Sequence, residues 1–164
     1  MENKVFREGD IVTDCVLGDE IEIYVPGDDV SGEYINKCVR HLIDLPEDTL
    51  SAICEAAKRY CLFFIELCRD AAGERFDPSD FPPVDKTTPA GEMFRYFNIS
   101  TVEFEAPKNA DITALNLSGG CEWEPEHGIQ ICILGDKPVY LGGFEGNSPW
   151  GRYDPDDDWN FANV

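Results

Sequence analysis

The chain has little positive charge. Only 13 of its 164 residues are Lys or Arg, against 33 Asp and Glu, which gives a formal net charge of −20. Residues 1–50 hold thirteen acids and four bases, residues 51–100 eight and six, and residues 101–164 twelve and three. A field of this sign repels nucleic acids and anionic membranes and attracts basic proteins and cations. The charge therefore favours a basic partner, unless it serves only to keep a small protein soluble.

Long apolar runs are also absent. No stretch approaches the roughly 20 apolar residues that a membrane helix needs, and Met1–Asp10 lacks the apolar core of a secretory signal. The seven cysteines are odd in number, and without a signal we expect free thiols and a cytoplasmic protein. The length and the 43% hydrophobic content predict a single domain over residues 1–164.

Recognisable catalytic motifs are missing as well. The sequence contains no G-x-S-x-G, no Walker loop and no G-x-G-x-x-G, and its two histidines limit the choice of a general base. His41 falls at a predicted helix end, where a positive charge suits the helix dipole. The spacing of Cys121, His127 and Cys132 matches no established zinc pattern. We therefore predict no catalytic residue, no metal ligand and no cofactor.

The hydrophobic periodicity predicts an α+β fold. Ile11–Leu17 and Glu20–Val25 are predicted as two strands joined in a hairpin around Gly18-Asp19, and the second alternates between apolar and polar residues. A spacing of 3.6 residues predicts helices over Ser31–Leu42 and Glu47–Arg69. A meander of short strands follows, at Ile99–Ala106, Ile112–Ser118, Cys121–Trp123, His127–Leu134 and Val139–Gly142. We expect an antiparallel sheet, built from the hairpin and the meander, packed on the central helical segment. Its core should contain Ile21, Ile23, Phe64, Phe104, Trp123, Ile129 and Ile131.

The C-terminal segment, residues 143–164, is rich in Gly, Asp and Trp and is predicted to be irregular. Within it, Asp154–Asn160 places oxygen ligands at relative positions 1, 3, 5 and 7, as a calcium-binding loop does. Trp159 occupies the position that such a loop gives to Gly, so an EF-hand is excluded. Divalent-cation binding by this segment stays open as an alternative.

Paired glutamates are the most regular feature of the predicted strands. Each pair flanks one apolar residue, and the pairs are Glu20 and Glu22, Glu103 and Glu105, and Glu122 and Glu124. Since successive strand side chains point to opposite faces, each pair should put two carboxylates on the solvent side of the sheet. If the strands are neighbours, the six form one acidic patch for a basic protein partner; otherwise they are separate solvated faces.

One stretch resembles a known group of proteins. The sequence C-E-W-E-P-E-H-G-I-Q-I-C-I-L-G-D-K-P-V-Y-L-G-G-F at Cys121–Phe144 is similar to the C-terminal signature, with a W-x-x-E-H-G hairpin, of small bacterial domains of unknown function. Some of these are encoded among polymorphic-toxin and immunity loci. The similarity covers about 25 residues, Cys121 and Pro125 depart from the usual pattern, and no catalytic residue can be carried over.

These features lead to one main hypothesis and two alternatives. The charge and the resemblance favour a non-enzymatic, acidic protein-binding module, an immunity-type inhibitor of a basic toxin. One alternative is an enzyme that uses Glu124 or Glu126 with His127. The other is the divalent-cation-binding protein that uses Asp154–Asn160. A pocket with carboxylates beside His127 would favour the enzyme, whereas a flat acidic sheet face would favour the binding module.

Overall fold

The computed structural model describes residues 5–164, which form six strands, two α-helices and three short 3-10 helices. The strands are β1 (Ile11–Val12), β2 (Ile21–Tyr24), β3 (Phe97–Glu103), β4 (Ala114–Cys121), β5 (Ile129–Leu134) and β6 (Lys137–Gly142). The helices α1 (Gly32–Ile43) and α2 (Glu47–Ala72) lie between β2 and β3. The α+β class predicted from the sequence is confirmed.

Local signals set the helix ends. The Ser31 hydroxyl caps α1 by accepting a hydrogen bond from the Tyr34 backbone N–H at 3.1 Å. Helix α2 begins after Pro46 with Glu47 and Asp48 in its first turn, where acids interact favourably with the helix dipole. It ends at Gly73, whose φ of 56° suits a residue without a Cβ. The predicted helix boundaries therefore hold to within a few residues.

The sheet follows chain order, β1-β2-β3-β4-β5-β6, and all neighbouring pairs but one are antiparallel. The exception is β2 with β3, which run parallel in the register Glu22–Thr101 and Tyr24–Glu103. A parallel pair needs a long crossover connection, and here both helices form it. The prediction of a fully antiparallel sheet is thus corrected at this one junction.

Both helices pack on one face of the sheet and share one hydrophobic cluster with it. All the sheet and turn residues predicted for the core are buried: Ile21, Ile23, Phe104, Trp123, Ile129 and Ile131. Phe64 of α2 is half-buried and packs against the same cluster. We call the opposite side the outer face; the strand register places on it Glu22, Tyr24, Thr101, Glu103, Asn116, Ser118, Gln130, Cys132 and Tyr140.

Gly119 and Gly120 do not form the predicted turn but lie inside β4. A Cβ on Gly119 would come within 2.0 Å of the Asn98 carbonyl oxygen of the neighbouring strand. Glycine is therefore required here by the close approach of β3, a common reason for glycine within a strand. The predicted strand Cys121–Trp123 does not exist, because β4 continues to Cys121 and the chain then turns.

All seven cysteines are free in the structure, as expected. Burial raises the pKa of Cys61, Cys121 and Cys132 to about 12, so these groups are neutral thiols at pH 7. None of the helices within residues 5–164 is long and apolar enough to cross a membrane.

Candidate functional site

The C-terminal segment covers the β4–β6 half of the outer face. Gln130, which is fully buried, donates to the Asn147 carbonyl oxygen at 2.9 Å and accepts from the Asn147 and Glu145 backbone N–H groups. Asn116 donates to the same Asn147 oxygen at 3.1 Å, and the Tyr153 ring stacks on Tyr140 at 5.9 Å. The segment is irregular, as predicted, but it closes a layer of buried polar side chains.

The β1–β3 half of the outer face is open and acidic. Glu20, Glu22 and Glu105 are exposed, and Glu103 is half-buried. Glu22 and Glu103 lie on adjacent strands two register steps apart, and Glu20 and Glu105 extend the two rows beyond the strand ends. We call these four residues the acidic strip. The condition for a shared patch, that the strands be neighbours, holds for β2 and β3, but the parallel register puts Glu20 and Glu105 at opposite ends of the strip.

Within the acidic strip, the pKa of Glu103 is shifted. Burial raises the pKa of the Glu103 carboxyl above its ordinary value, and the nearby Glu105 charge raises it further. The two carboxylates have neutral partners: Asn116 donates to Glu103 at 3.4 Å, and the Ser148 hydroxyl donates to Glu105. No Lys or Arg in the described part of the chain forms an ion pair with the strip.

Four basic side chains hold loops elsewhere in the molecule. Lys37, Lys58, Lys108 and Arg59 all donate to backbone carbonyl oxygens. Within residues 5–164, a single ion pair joins a carboxylate to Lys or Arg, Arg69–Glu66 at 2.6 Å on the surface of α2. Among residues 5–164 the negative charge is therefore little offset by ion pairs with Lys or Arg, and it acts outward as a field.

The remaining two predicted glutamates lie apart from the strip. Glu122 is exposed just beyond the end of β4, at the opposite end of β3 from Glu103. Glu124 is 5% exposed, so the prediction that all six carboxylates face solvent is wrong for it. The reason is that Glu124 lies in a tight turn after β4 whose backbone N–H groups need an acceptor.

Glu124 satisfies that turn with both carboxylate oxygens. Oε1 accepts from the Glu126 N–H at 2.9 Å, and Oε2 accepts from the His127 N–H at 3.0 Å. Oε2 also lies 2.7 Å from His127 Nδ1, while the Gly128 N–H donates to the Glu124 carbonyl oxygen. Gly128 has a φ of 67°, which closes the turn. Pro125 and Gly128 signal the turn in the sequence, but not the acceptor that it needs.

The same turn brings together Glu124, Glu126 and His127, the residues of the enzyme hypothesis. Each of the three residues offers one atom that could bind a metal ion, and these three atoms lie within 4.8 Å of one another. His127 is 65% exposed, and with Glu126 it borders an open, shallow depression that is also lined by Ser100, Ser118, Gly119 and Phe144. A carboxylate on Nδ1 leaves Nε2 available as a proton acceptor. The arrangement orients an imidazole, but it does so at the surface and not in a deep pocket.

Within the Asp154–Asn160 segment, three side chains bond to backbone groups, whereas the Asp156 and Asp158 carboxylates accept no hydrogen bond from residues 5–164. Asp154 Oδ1 accepts from Asp156 N–H, and Asp157 Oδ1 accepts from Trp159 N–H. Asn160 is buried, and its side chain bonds to Leu141 N–H, Ala162 N–H and the Val139 carbonyl oxygen. This segment shapes a turn that seals the outer edge of β6, so we do not carry the cation-binding alternative further.

His41 stays at the end of α1, as predicted. Its Nε2 lies 2.8 Å from the Gly135 carbonyl oxygen and 3.1 Å from Asp136 Oδ1. Thr49 of α2 donates to the Asp136 carbonyl oxygen at 2.7 Å. These bonds tie both helices to the β5–β6 turn, which gives His41 a structural role.

Sequence reasoning did not identify the buried polar pair Gln130 and Asn116, nor the contact of Phe63 with Trp159. Gln130 had a signal, since it is the one polar residue in the apolar run I-Q-I-C-I-L. The aromatic contact had none, because Phe63 and Trp159 are far apart in sequence.

The architecture is thus that of an α+β domain with an open mixed sheet, helices on one face and a partly covered polar face on the other. A family model described as Domain of unknown function (DUF6985) matches residues 2–148, and the chain belongs to that family. The match ends within the segment that covers the outer face. Searches of curated proteins and of solved structures gave no match.

Proposed function

We propose that the protein is a non-enzymatic, acidic protein-binding module, an immunity-type inhibitor that binds a basic toxin through the acidic strip. The observation that carries this proposal is the unpaired acid on the open half of the outer face. Glu20 and Glu22 are exposed, and no Lys or Arg of residues 5–164 forms an ion pair with them.

Charge of this kind acts chiefly on association. Opposite potentials on two proteins raise the rate of encounter and penalise partners of the wrong sign. A basic cleft can form several ionic contacts at once with a row of carboxylates. Cys121–Phe144 resembles small bacterial domains of unknown function, and the fact that some of these are encoded among toxin and immunity loci supports the same class of partner.

The test first asks whether a reading frame for a basic protein lies beside the gene of this chain, and its absence would count against the proposal. Association of that protein with this chain is then measured by stopped-flow fluorescence at several salt concentrations. The variant Glu103→Lys/Glu105→Lys should lower the association rate by about tenfold or more at low salt, with a smaller effect at high salt. The control is Glu74→Lys/Asp80→Lys, which makes the same charge change in the exposed loop after α2. Equal effects of the two variants would contradict the acidic strip, and absence of binding would contradict the immunity-type function.

The Glu124–His127 pair supports a second candidate, acid–base chemistry at His127 Nε2. The 2.7 Å contact to a buried carboxylate is the arrangement that fixes an imidazole tautomer for proton transfer. Hydrolysis of para-nitrophenyl acetate is a direct probe, since it reports a nucleophilic or basic imidazole. This candidate expects His127→Ala and Glu124→Gln each to lower the rate clearly while His41→Ala does not. Unchanged rates in both would contradict it.

A further inference from the structure

A second exposed feature lies on the helix side of the molecule. Phe63 and Leu67 of α2 are 37% and 43% exposed, and Trp159 of the C-terminal segment is 49% exposed. Phe63 and Leu67 are one helical turn apart on the same side of α2. The Phe63 ring lies against Trp159, with centroids 5.0 Å apart. We call these three residues the aromatic patch.

The patch is preformed. The Phe63 and Trp159 rings meet edge to face at 78°, and Phe63 also contacts buried Phe161 at 5.3 Å. The backbone N–H of Trp159 donates a hydrogen bond to Asp157 Oδ1 at 3.0 Å. Neighbouring Asn160 is anchored to β6 through its buried side chain. Large aromatic groups held in place in this way lose little conformational entropy when a partner covers them.

An acidic rim borders the patch. Asp156, Asp157 and Asp158 line a hollow of about 450 Å³ whose apolar walls include Phe63 and Phe161. The Asp156 and Asp158 carboxylates accept no hydrogen bond from residues 5–164, so both are available to a partner. Asp70 continues the acidic border along α2, one helical turn from Leu67, whereas the Glu66 carboxylate is paired with Arg69.

One cation lies in the same hollow. Arg59 lines it, but its guanidinium donates twice to the Phe161 carbonyl oxygen, at 2.7 and 3.1 Å. This group therefore holds the C-terminal segment against α2, and it forms no ion pair with the Asp run in the described chain. The rim keeps its negative charge.

We propose that the aromatic patch docks a basic amphipathic segment of a protein partner. Apolar side chains of that segment would cover Phe63, Leu67 and Trp159, while Lys or Arg side chains would meet Asp156 and Asp158. Charge complementarity selects this occupant, because a second copy of a chain with charge −20, or an anionic membrane, is repelled by the same rim. The proposal shares with the proposed function the sign of the partner's charge and does not depend on the acidic strip.

The probe is a helical peptide of Leu and Lys alone, with its leucines along one face, and its control is a scrambled peptide of the same composition. Binding to the full chain is followed by calorimetry and by the NMR signals of the Trp indole N–H groups. The patterned peptide should bind about tenfold more tightly than the scrambled one, because only the former presents an apolar face. The shifts should centre on Trp159. Equal affinities would overturn the proposal.

Two matched pairs of variants locate the site. Leu67→Ser should weaken binding by about fivefold or more, whereas Ile43→Ser, an equally exposed apolar position on α1, should have little effect. Asp156→Asn/Asp158→Asn should weaken binding more than Glu20→Gln/Glu22→Gln, which makes the same charge change in the acidic strip. The reverse order would refute docking at the patch while leaving the strip intact. Leu67-dependent dimerisation in sedimentation, or Leu67-dependent binding to anionic vesicles, would assign the patch to another occupant and also refute the proposal.

Discussion

The two halves of the outer face share strands and alternation but differ in what covers them. Over β4–β6, Gln130 and Asn116 are buried and bond to the backbone of the C-terminal segment, although the buried Trp150 Nε1 of that segment has no hydrogen-bond partner among residues 5–164. Over β1–β3, Glu20 and Glu22 face water and have no internal cation among residues 5–164. Burial demands partners for polar groups, whereas exposure does not. The covered half therefore contributes to stability, and the open half is free to serve an external partner.

The largest expected effect lies at the junction between the halves, where β3 meets β4. Gly119→Ala would place a methyl group 2.0 Å from the Asn98 carbonyl oxygen, and backbone cannot move aside as a flexible side chain can. We expect a loss of about 3 kcal/mol in the free energy of unfolding, measured by urea denaturation.

Gly120→Ala is the matched control for this change. A Cβ at Gly120 would meet no atom within 4 Å, so the loss should stay below about 1 kcal/mol. Similar losses for the two variants would show that β3 and β4 are not as closely apposed as the structure has them.

Removing the central polar group of the covered half should come next in size. Gln130→Ala leaves the Asn147 and Glu145 N–H groups and the Asn147 carbonyl oxygen without their buried partner. We expect the free energy of unfolding to fall by about 2–3 kcal/mol in urea denaturation. Glu22→Gln, in the open half, should change it by less than about 0.5 kcal/mol. Equal changes would remove the distinction between the halves.

Glu124 is a buried carboxylate and can be compared with its exposed neighbour Glu122. Glu124→Gln replaces one acceptor oxygen by an NH₂ group, so one of the contacts to Glu126 N–H and His127 is lost. The expected loss is about 1–2 kcal/mol, measured by thermal and urea unfolding. Its exposed neighbour Glu122 is the control, and Glu122→Gln should be close to neutral. A neutral Glu124→Gln would mean that the turn does not need the carboxylate.

Local patterns were sufficient to predict the helices and the core. The 3.6-residue apolar spacing, together with the acids after Pro46 for α2, defines α1 and α2 without tertiary information. Alternation in β2 likewise places Ile21 and Ile23 inside. These signals are short-range, because each depends on residues within a few positions of one another.

What the sequence did not show depends on contacts between distant segments. Strands β2 and β3 are parallel because α1 and α2 connect them across one face of the sheet. Glycine is required at position 119 because the Asn98 carbonyl oxygen of β3 lies close to it. Burial of Glu124 depends on a turn whose N–H groups need an acceptor, and the covering of Gln130 depends on Asn147. Strand alternation predicted the outward direction of Glu20, Glu22, Glu103 and Glu105, but the adjacency of β2 and β3 was left open by the sequence and comes from the structure.

The smallest expected effect is a gain in the free energy of unfolding when Glu103, in the acidic strip, is replaced by Gln. Burial and the Glu105 charge raise the pKa of Glu103, so its ionised form is less favourable in the folded than in the unfolded chain. Ionised Glu103 therefore destabilises the fold above its folded pKa, and this cost disappears as the pH falls below the unfolded pKa. Glu103→Gln should raise the free energy of unfolding at pH 7, by less than about 0.5 kcal/mol because the group is largely solvated.

Urea denaturation at pH 7 and at about pH 3.5, below the ordinary Glu pKa, would measure this change. The gain from Glu103→Gln should shrink toward zero at the lower pH, where Glu103 itself is protonated. The same substitution at Glu22, whose carboxylate is fully in solvent on the next strand, is the control for the general loss of one negative charge. If both variants gain equally at pH 7, the effect belongs to the net charge of −20. A gain confined to Glu103 would instead show that the acidic strip is crowded at Glu103 and Glu105, the edge where the C-terminal segment begins to cover the sheet.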